Sequence, residues 1–262
     1  MKHYLYGGLT DVGWKRELNE DYINIAELGD DCLFFAVADG AGSKNANMLQ
    51  PASIAIRESL DFIRRTHTSS PSLLKENASF FLNESLMIAN RVISAFKVAN
   101  EELYSGFGAT MTVGLVFDDN TMVFGHIGNC QLMLLRRSKK GDVYTPHILT
   151  VEQTKAKEQL DEGIIRDDMY WTHPDRLIIT GALGMTTEPE IQTFEMKLRA
   201  YDFVVLTSDG IHLGITPEGI AKVVIESDNC DLAVRNLIAA AKQEQVCDNM
   251  SSIILFNNGE GA

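Results

Sequence analysis

Positive charge is scarce in this sequence. Its 262 residues carry 23 Lys and Arg against 36 Asp and Glu, a formal balance of −13. Such a surface repels phosphate backbones and anionic lipid, which excludes a non-specific polyanion binder. Cysteine is scarcer still. Cys32, Cys130, Cys230 and Cys247 are scattered without a C-x-x-C pair, so neither a zinc knuckle nor a disulfide framework is indicated. No stretch reaches the roughly 18 apolar residues that a membrane span requires, and residues 1–21 lack the basic-then-apolar layout of a signal peptide. Together these absences predict a cytoplasmic protein with reduced thiols and with neither nucleic acid nor membrane as partner. Tandem repeats and low-complexity linkers are also missing, so disorder, collagen and coiled coil are excluded. What is present is 45 % apolar residues, enough at this length to bury a sizeable core.

Apolar runs of strand length occur at 32–38, 111–117, 122–127, 131–135, 177–180, 203–207 and 252–256. Between the first two, residues 45–103 place Ile54, Ile56, Leu60 and Ile63, then Phe81, Leu82, Leu86, Ile88, Val92 and Phe96, at helical spacing. A break near Ser69 and Pro71 divides them, which predicts two long helices. Residues 217–226 and 230–245 predict two more, the first opened by Thr216 and Glu218. This order is not the strict βαβ alternation of a parallel sheet, so the predicted class is α+β, with antiparallel sheets covered by helices. Residues 150–172 are the least regular and most charged, and they predict a mobile subdomain over the sheet.

Carboxylates recur at marked places. Asp39 and Asp209 each end an apolar run and are followed at once by glycine (FFAVADGAG, FVVLTSDGI). That puts a carboxylate at a sheet rim beside backbone that can approach a ligand closely, as hard-cation sites require. Asp248 (CDNMSSIIL) sits just before the last strand-like run, and Glu20 and Asp21 (RELNED) just before the segment leading into Cys32, so all five could meet at one end of the sheets. At about 4 Å each like-charge pair costs several kcal/mol at an effective dielectric near 20. Two divalent ions and Arg16 bring such a cluster close to neutral, and oxygen ligands suit Mg²⁺ or Mn²⁺. Singly, each Asp-Gly also reads as an ordinary turn.

Taken in order, these motifs resemble the metal-dependent protein phosphatases, the type 2C Ser/Thr phosphatase (PPM) family, and especially its bacterial members. TDVGWKRELNED is similar to the family's opening motif, FAVADGAG to its D-G motif, FGATMTVGLVF to its G-T-T strand, GHIGNCQLMLLR to G-D-S-R, TSDGI to S-D-G, and CDNMSSIIL to D-N. HPDRLIITGALG resembles H-P-x-R-x-x-L-T-R-A-L-G, which makes 150–172 the flap of one phosphatase domain spanning 1–262. The resemblance implies two packed antiparallel sheets flanked by helices, an α-β-β-α sandwich. It further implies that Asp39 bridges two divalent cations, Mn²⁺ or Mg²⁺, while Gly40 offers its carbonyl to one. Asp209 and Asp248 would complete the first metal site, and Glu20 and Asp21 the second, directly or through water. A hydroxide held between the ions would attack phosphorus in line. Arg16 would hold the phosphate through a bidentate contact, its alternative being a surface salt bridge to Glu17 or Glu20.

Three positions depart from the family. Asn129 replaces the aspartate of G-D-S-R, and Leu213 replaces the aspartate three residues after S-D-G. Neither side chain binds a hard cation as a carboxylate does, so the family's third metal site is predicted lost. Ala41 stands where some relatives have a histidine proposed as the acid. His212 is a weak substitute, while His126, His173 and Cys130 read as structural. The implied activity is hydrolysis of phosphoserine and phosphothreonine in proteins. By analogy with bacterial relatives, the partner is a Ser/Thr kinase or its forkhead-associated substrate. The alternatives are a phosphatase-fold binding or regulatory protein with little turnover, and a phosphatase for small phosphomonoesters.

Overall fold

The structure, a computed structural model, describes residues 3–42, 49–100, 106–138, 141 and 143–259. The chain opens with three strands, β1 (Tyr4–Asp11), β2 (Tyr22–Leu28) and β3 (Cys32–Ala41), followed by helices α1 (Pro51–Ser69), α2 (Pro71–Glu76) and α3 (Ala78–Ala99). Four strands come next, β4 (Gly108–Phe117), β5 (Thr121–Ile127), β6 (Gln131–Arg137) and β7 (Tyr144–Ile148). Short helices α4 (Lys155–Asp161) and α5 (Asp167–Tyr170) and a 3₁₀ turn (Pro174–Leu177) then lead to β8 (Gln192–Lys197) and β9 (Phe203–Thr207). The chain ends with α6 (Asp209–His212), α7 (Pro217–Ile225), α8 (Cys230–Gln243) and β10 (Met250–Asn257).

The strands form two five-stranded antiparallel sheets, in the orders β1-β10-β9-β6-β7 and β2-β3-β4-β5-β8. The sequence of β3 shows how they stack. Its side chains alternate: Cys32, Phe34, Ala36 and Ala38 join the core under α1, α2 and α3, while Leu33, Phe35 and Val37 face the other sheet. In the first sheet, Leu132, Leu206 and Ile253 point to that inter-sheet core, and Met133, Val205 and Ile254 to a third core under α7 and α8. Both sheets are therefore apolar on both faces, and the layers run helix, sheet, sheet, helix. Gly114, paired with Phe35 across β4 and β3, is part of this packing, since a Cβ there would come within 2.2 Å of the Phe35 ring.

The α+β sandwich expected from the sequence is present, with three differences. The helical stretch breaks at Pro71, which lacks an N–H and opens α2 as expected, and breaks a second time at Asn77, which separates α2 from α3. The ends of that expected stretch, 45–48 and 101–103, lie outside the described residues. The strand expected at 177–180 is not formed. His173 Nδ1 accepts the Asp175 N–H and caps a 3₁₀ turn, leaving Leu177 and Ile178 exposed, and Ile179 makes only an isolated bridge to Thr154. Four strands, β1, β2, β7 and β8, were not expected. Within 150–172 a small separate core gathers Ala156, Ile165 and Tyr170. Among the described residues, no helix is long and apolar enough to cross a membrane.

Candidate metal centre

The strand ends bring the marked residues together. Asp39 lies near the end of β3 opposite Thr110, Asp209 starts α6 directly after β9, Asp21 precedes β2, and Asp248 precedes β10. Asp21 and Asp209 are buried, and Asp39 is partly buried beside them. Burial and the neighbouring carboxylates push Asp21 up to about 6 and Asp209 to about 7. Asp39 is raised well above the usual carboxylate range by burial, then by Asp209, Asp21 and Asp248. Asp21, Asp39 and Asp209 are thus harder to ionise than surface carboxylates.

Neighbouring polar groups hold these acids in place. Ser208 Oγ donates to Asp21 Oδ2 at 2.7 Å and accepts the Ser251 N–H at 3.0 Å, while Asp21 Oδ1 is buried without a partner. Asn129 Nδ2 donates to Asp209 Oδ2 at 3.0 Å, and its own Oδ1 is likewise unpartnered. Asp248 Oδ1 accepts the Asn249 N–H at 2.9 Å. Arg16 is paired neither with Glu17 nor with Glu20. Its Nη2 donates to Asp248 Oδ2 at 2.9 Å and its Nε to the Cys247 carbonyl at 3.1 Å. Glu20 and Gly40 meet through backbone, where a Cβ at Gly40 would fall 2.8 Å from the Glu20 carbonyl oxygen.

Asn249 was not singled out from the sequence, although it anchors the opening loop. Its Nδ2 donates to the Val12 and Leu18 carbonyls at 3.0 and 2.9 Å, and its Oδ1 accepts the Glu20 N–H at 2.9 Å. Arg16 is thereby carried on a loop fixed on both sides. The sequence signal was an Asn directly after Asp248 at the start of a strand, and for Ser208 a hydroxyl directly before Asp209.

His126 and His212 lie in the core. His126 Nε2 donates to the Gly128 carbonyl, its Nδ1 faces Thr112 Oγ1 at 2.8 Å, and burial lowers it to about 4. His212 is likewise lowered to about 4 by burial, with Nδ1 against Thr207 Oγ1. A neutral imidazole at neutral pH is a poor proton donor to a leaving oxygen. Cys130 is a buried thiol pushed well up by burial, which fits packing. Leu213 follows α6, and Ala41 is exposed.

Among the described residues, no group of three or more His, Cys, Asp or Glu side chains closes on an ion by itself. The donors nevertheless suit hard cations. They are all oxygen, one carboxylate oxygen is buried and orphaned, and burial together with the neighbouring carboxylates raises Asp39 and Asp209. Beside Asp39 lies a cavity of about 190 Å³ walled by Gly40, Ala41, Thr110 and Ile179. It shares Ala182 and Met185 with a groove of about 370 Å³ running past Gln153 and Glu190.

Residues 15–245 match the family described as Protein phosphatase 2C. That span includes Arg16, Glu20, Asp21, Asp39, Gly40 and Asp209, with Asp248 three residues beyond it. The chain is 26 % identical to Protein phosphatase PhpP of Streptococcus pneumoniae over 97 % of its own length and 98 % of the relative's. It is similar to the Mycobacterium tuberculosis serine/threonine phosphatase PstP/Ppp, with a TM-score of 0.79, 25 % identity and coverage of 97 % and 98 % of the two chains. The catalytic domain of the protein phosphatase PstP in complex with two manganese ions shares the fold, with a TM-score of 0.76, 24 % identity and 97 % of each chain covered.

Proposed function

The chain belongs to the protein phosphatase 2C family, and from that premise we propose that it hydrolyses phosphoserine and phosphothreonine in proteins with two divalent ions, Mn²⁺ or Mg²⁺, at the carboxylate centre. The observation that carries this is the meeting of Asp21, Asp39, Asp209 and Asp248 with the Arg16 guanidinium at one end of two sheets. The manganese pair named for PstP supports the same class of ion.

Asp39 would serve both ions and Gly40 would lend its carbonyl. Asp209 and Asp248 would hold one ion, and Glu20 and Asp21 the other, directly or through water. When bound, the ions supply a nucleophile active at neutral pH and offset charge on the phosphate. The chain's own residues supply orientation. Ser208 fixes Asp21, Asn129 fixes Asp209, and the Arg16 guanidinium beside Asp248 would supply donors to the phosphate oxygens. With His212 neutral and Ala41 apolar, the proton for the leaving oxygen comes from water. A third metal site is absent in this proposal. The Asn129 amide turns its N–H₂ toward Asp209, and Leu213 offers no donor.

A polypeptide is favoured over a small ester because the cavity beside Asp39 continues into the larger groove, leaving room for flanking chain. Residues 150–172, with their own small core, act as a flap on one phosphatase domain spanning 1–262. The partner would be a Ser/Thr kinase or its forkhead-associated substrate in the cytoplasm, an assignment resting on analogy. Hydrolysis of p-nitrophenyl phosphate and of a phosphothreonine peptide is expected with Mn²⁺ or Mg²⁺, to be lost in EDTA and in Asp39→Asn, and to be weakened in Arg16→Ala. No turnover by folded, metal-binding protein at millimolar Mn²⁺ would instead indicate a regulatory member of the family.

A further inference from the structure

Among the described residues, Arg16 is the one cation in an ion pair with Asp21, Asp39, Asp209 or Asp248. The pair differs from a loose surface contact. Arg16 Nε and Nη2, the two donors of one guanidinium edge, bind the Cys247 carbonyl and Asp248 Oδ2 together. The backbone beneath is held by Asn249 to Val12, Leu18 and Glu20, while the Arg16 side chain is half-exposed. Burial pulls the guanidinium pKa down, but the fields of Asp248, Asp209 and Asp39 prevail and raise it. Arg16 therefore already supplies countercharge where the first divalent ion is proposed to sit.

We infer that Arg16 competes with the first divalent ion for Asp248, so that arrival of the ion frees the guanidinium for the phosphate. This rests on the metal ligands proposed above. The physical reason is that a carboxylate shared between a guanidinium and a divalent ion brings two positive charges together, and each weakens the other's hold. Such coupling is reciprocal. The arginine lowers metal affinity by the same factor as the ion loosens the arginine, which orders binding as metal first and phosphate second. The sequence motif alone assigns Arg16 only to phosphate. Its place on Asp248 adds control of the metal.

The test is Mn²⁺ titration of wild type, Arg16→Ala and Arg16→Gln, with free Mn²⁺ read by electron paramagnetic resonance and folding checked by melting in EDTA. Both variants are expected to bind the first ion about tenfold more tightly, within the range of coupling between linked sites. Equal or weaker binding in both variants overturns the competition. Wild-type hydrolysis of p-nitrophenyl phosphate with Mn²⁺ separates the two proposals. Turnover without tighter binding in the variants sinks the competition alone, whereas no turnover and no Mn²⁺ binding in any protein sinks the metal centre with it.

Discussion

Removing metal should make this protein less stable as pH rises through neutrality. Asp209 ionises near 3.8 in the unfolded chain and near 7 when folded without ions. A group whose folded pKa is raised contributes its full stability below the unfolded value and loses it as pH climbs to the folded one. One unit corresponds to 1.36 kcal/mol, so the Asp209 shift is worth about 4 kcal/mol, of which about 3 fall between pH 5 and 7.5. Asp21, raised from 3.8 to about 6, moves the same way, but the two acids share one field and their effects do not add. Urea denaturation in EDTA at pH 5 and pH 7.5, run on wild type and Asp209→Asn, isolates the term. Wild type is expected to lose about 3 kcal/mol relative to the variant over that interval. Saturating Mn²⁺ at pH 7.5 is expected to restore stability to wild type alone, by about 2.7 kcal/mol per ion at a hundredfold excess over Kd. Parallel pH profiles for the two proteins would refute the buried-acid argument, because surface carboxylates titrate alike in both.

Four further outcomes follow from the geometry. Arg176 Nη2 and Glu152 Oε1 are 2.6 Å apart, both side chains are almost fully buried, and the Tyr170 hydroxyl donates to the same carboxylate at 2.7 Å. Arg176→Met or Glu152→Met leaves an unpaired buried charge and should cost about 3–5 kcal/mol in urea denaturation, with the double variant less damaging than either single one. Asn249→Ala removes three partly buried hydrogen bonds and should cost about 3 kcal/mol by the same measurement. Gly210→Ala puts a Cβ 1.9 Å from the Asn249 carbonyl oxygen, so Mn²⁺ titration should show weaker binding in both, and unchanged affinity would mean that Asn249 does not position the site. Bound metal counted by elemental analysis should be two per wild-type chain and three in Asn129→Asp with Leu213→Asp, while three in wild type would disprove the loss of the third site.

The parts of this fold that sequence could not reveal share one physical property. The four unforeseen strands are the four sheet edges, β1 and β7 in one sheet and β2 and β8 in the other. Central strands are covered on both faces and read as continuous apolar runs, as in CLFFAVADGA of β3. An edge strand is half-solvated, so β8 reads QTFEMK and β7 carries Pro146, patterns that period-2 apolar counting does not detect. The 177–180 run fails for the opposite reason. It is apolar, but His173 and Pro174 impose a capped 3₁₀ turn that leaves Leu177 and Ile178 facing solvent. Asp39 and Asp209 were legible because each ends an apolar run directly before a glycine and the two fall in order with the other acidic motifs, whereas either alone reads as a turn. The groups that hold them were not. Asn249, Ser208 and the Asn129 amide act on partners 43 to 237 residues away, and such pairings exist only once the sheets are stacked. Arg16 shows the limit most clearly. A motif places it at a phosphate, and only the folded turn at Cys247 and Asp248 shows that the same side chain already answers the charge of a proposed metal ligand.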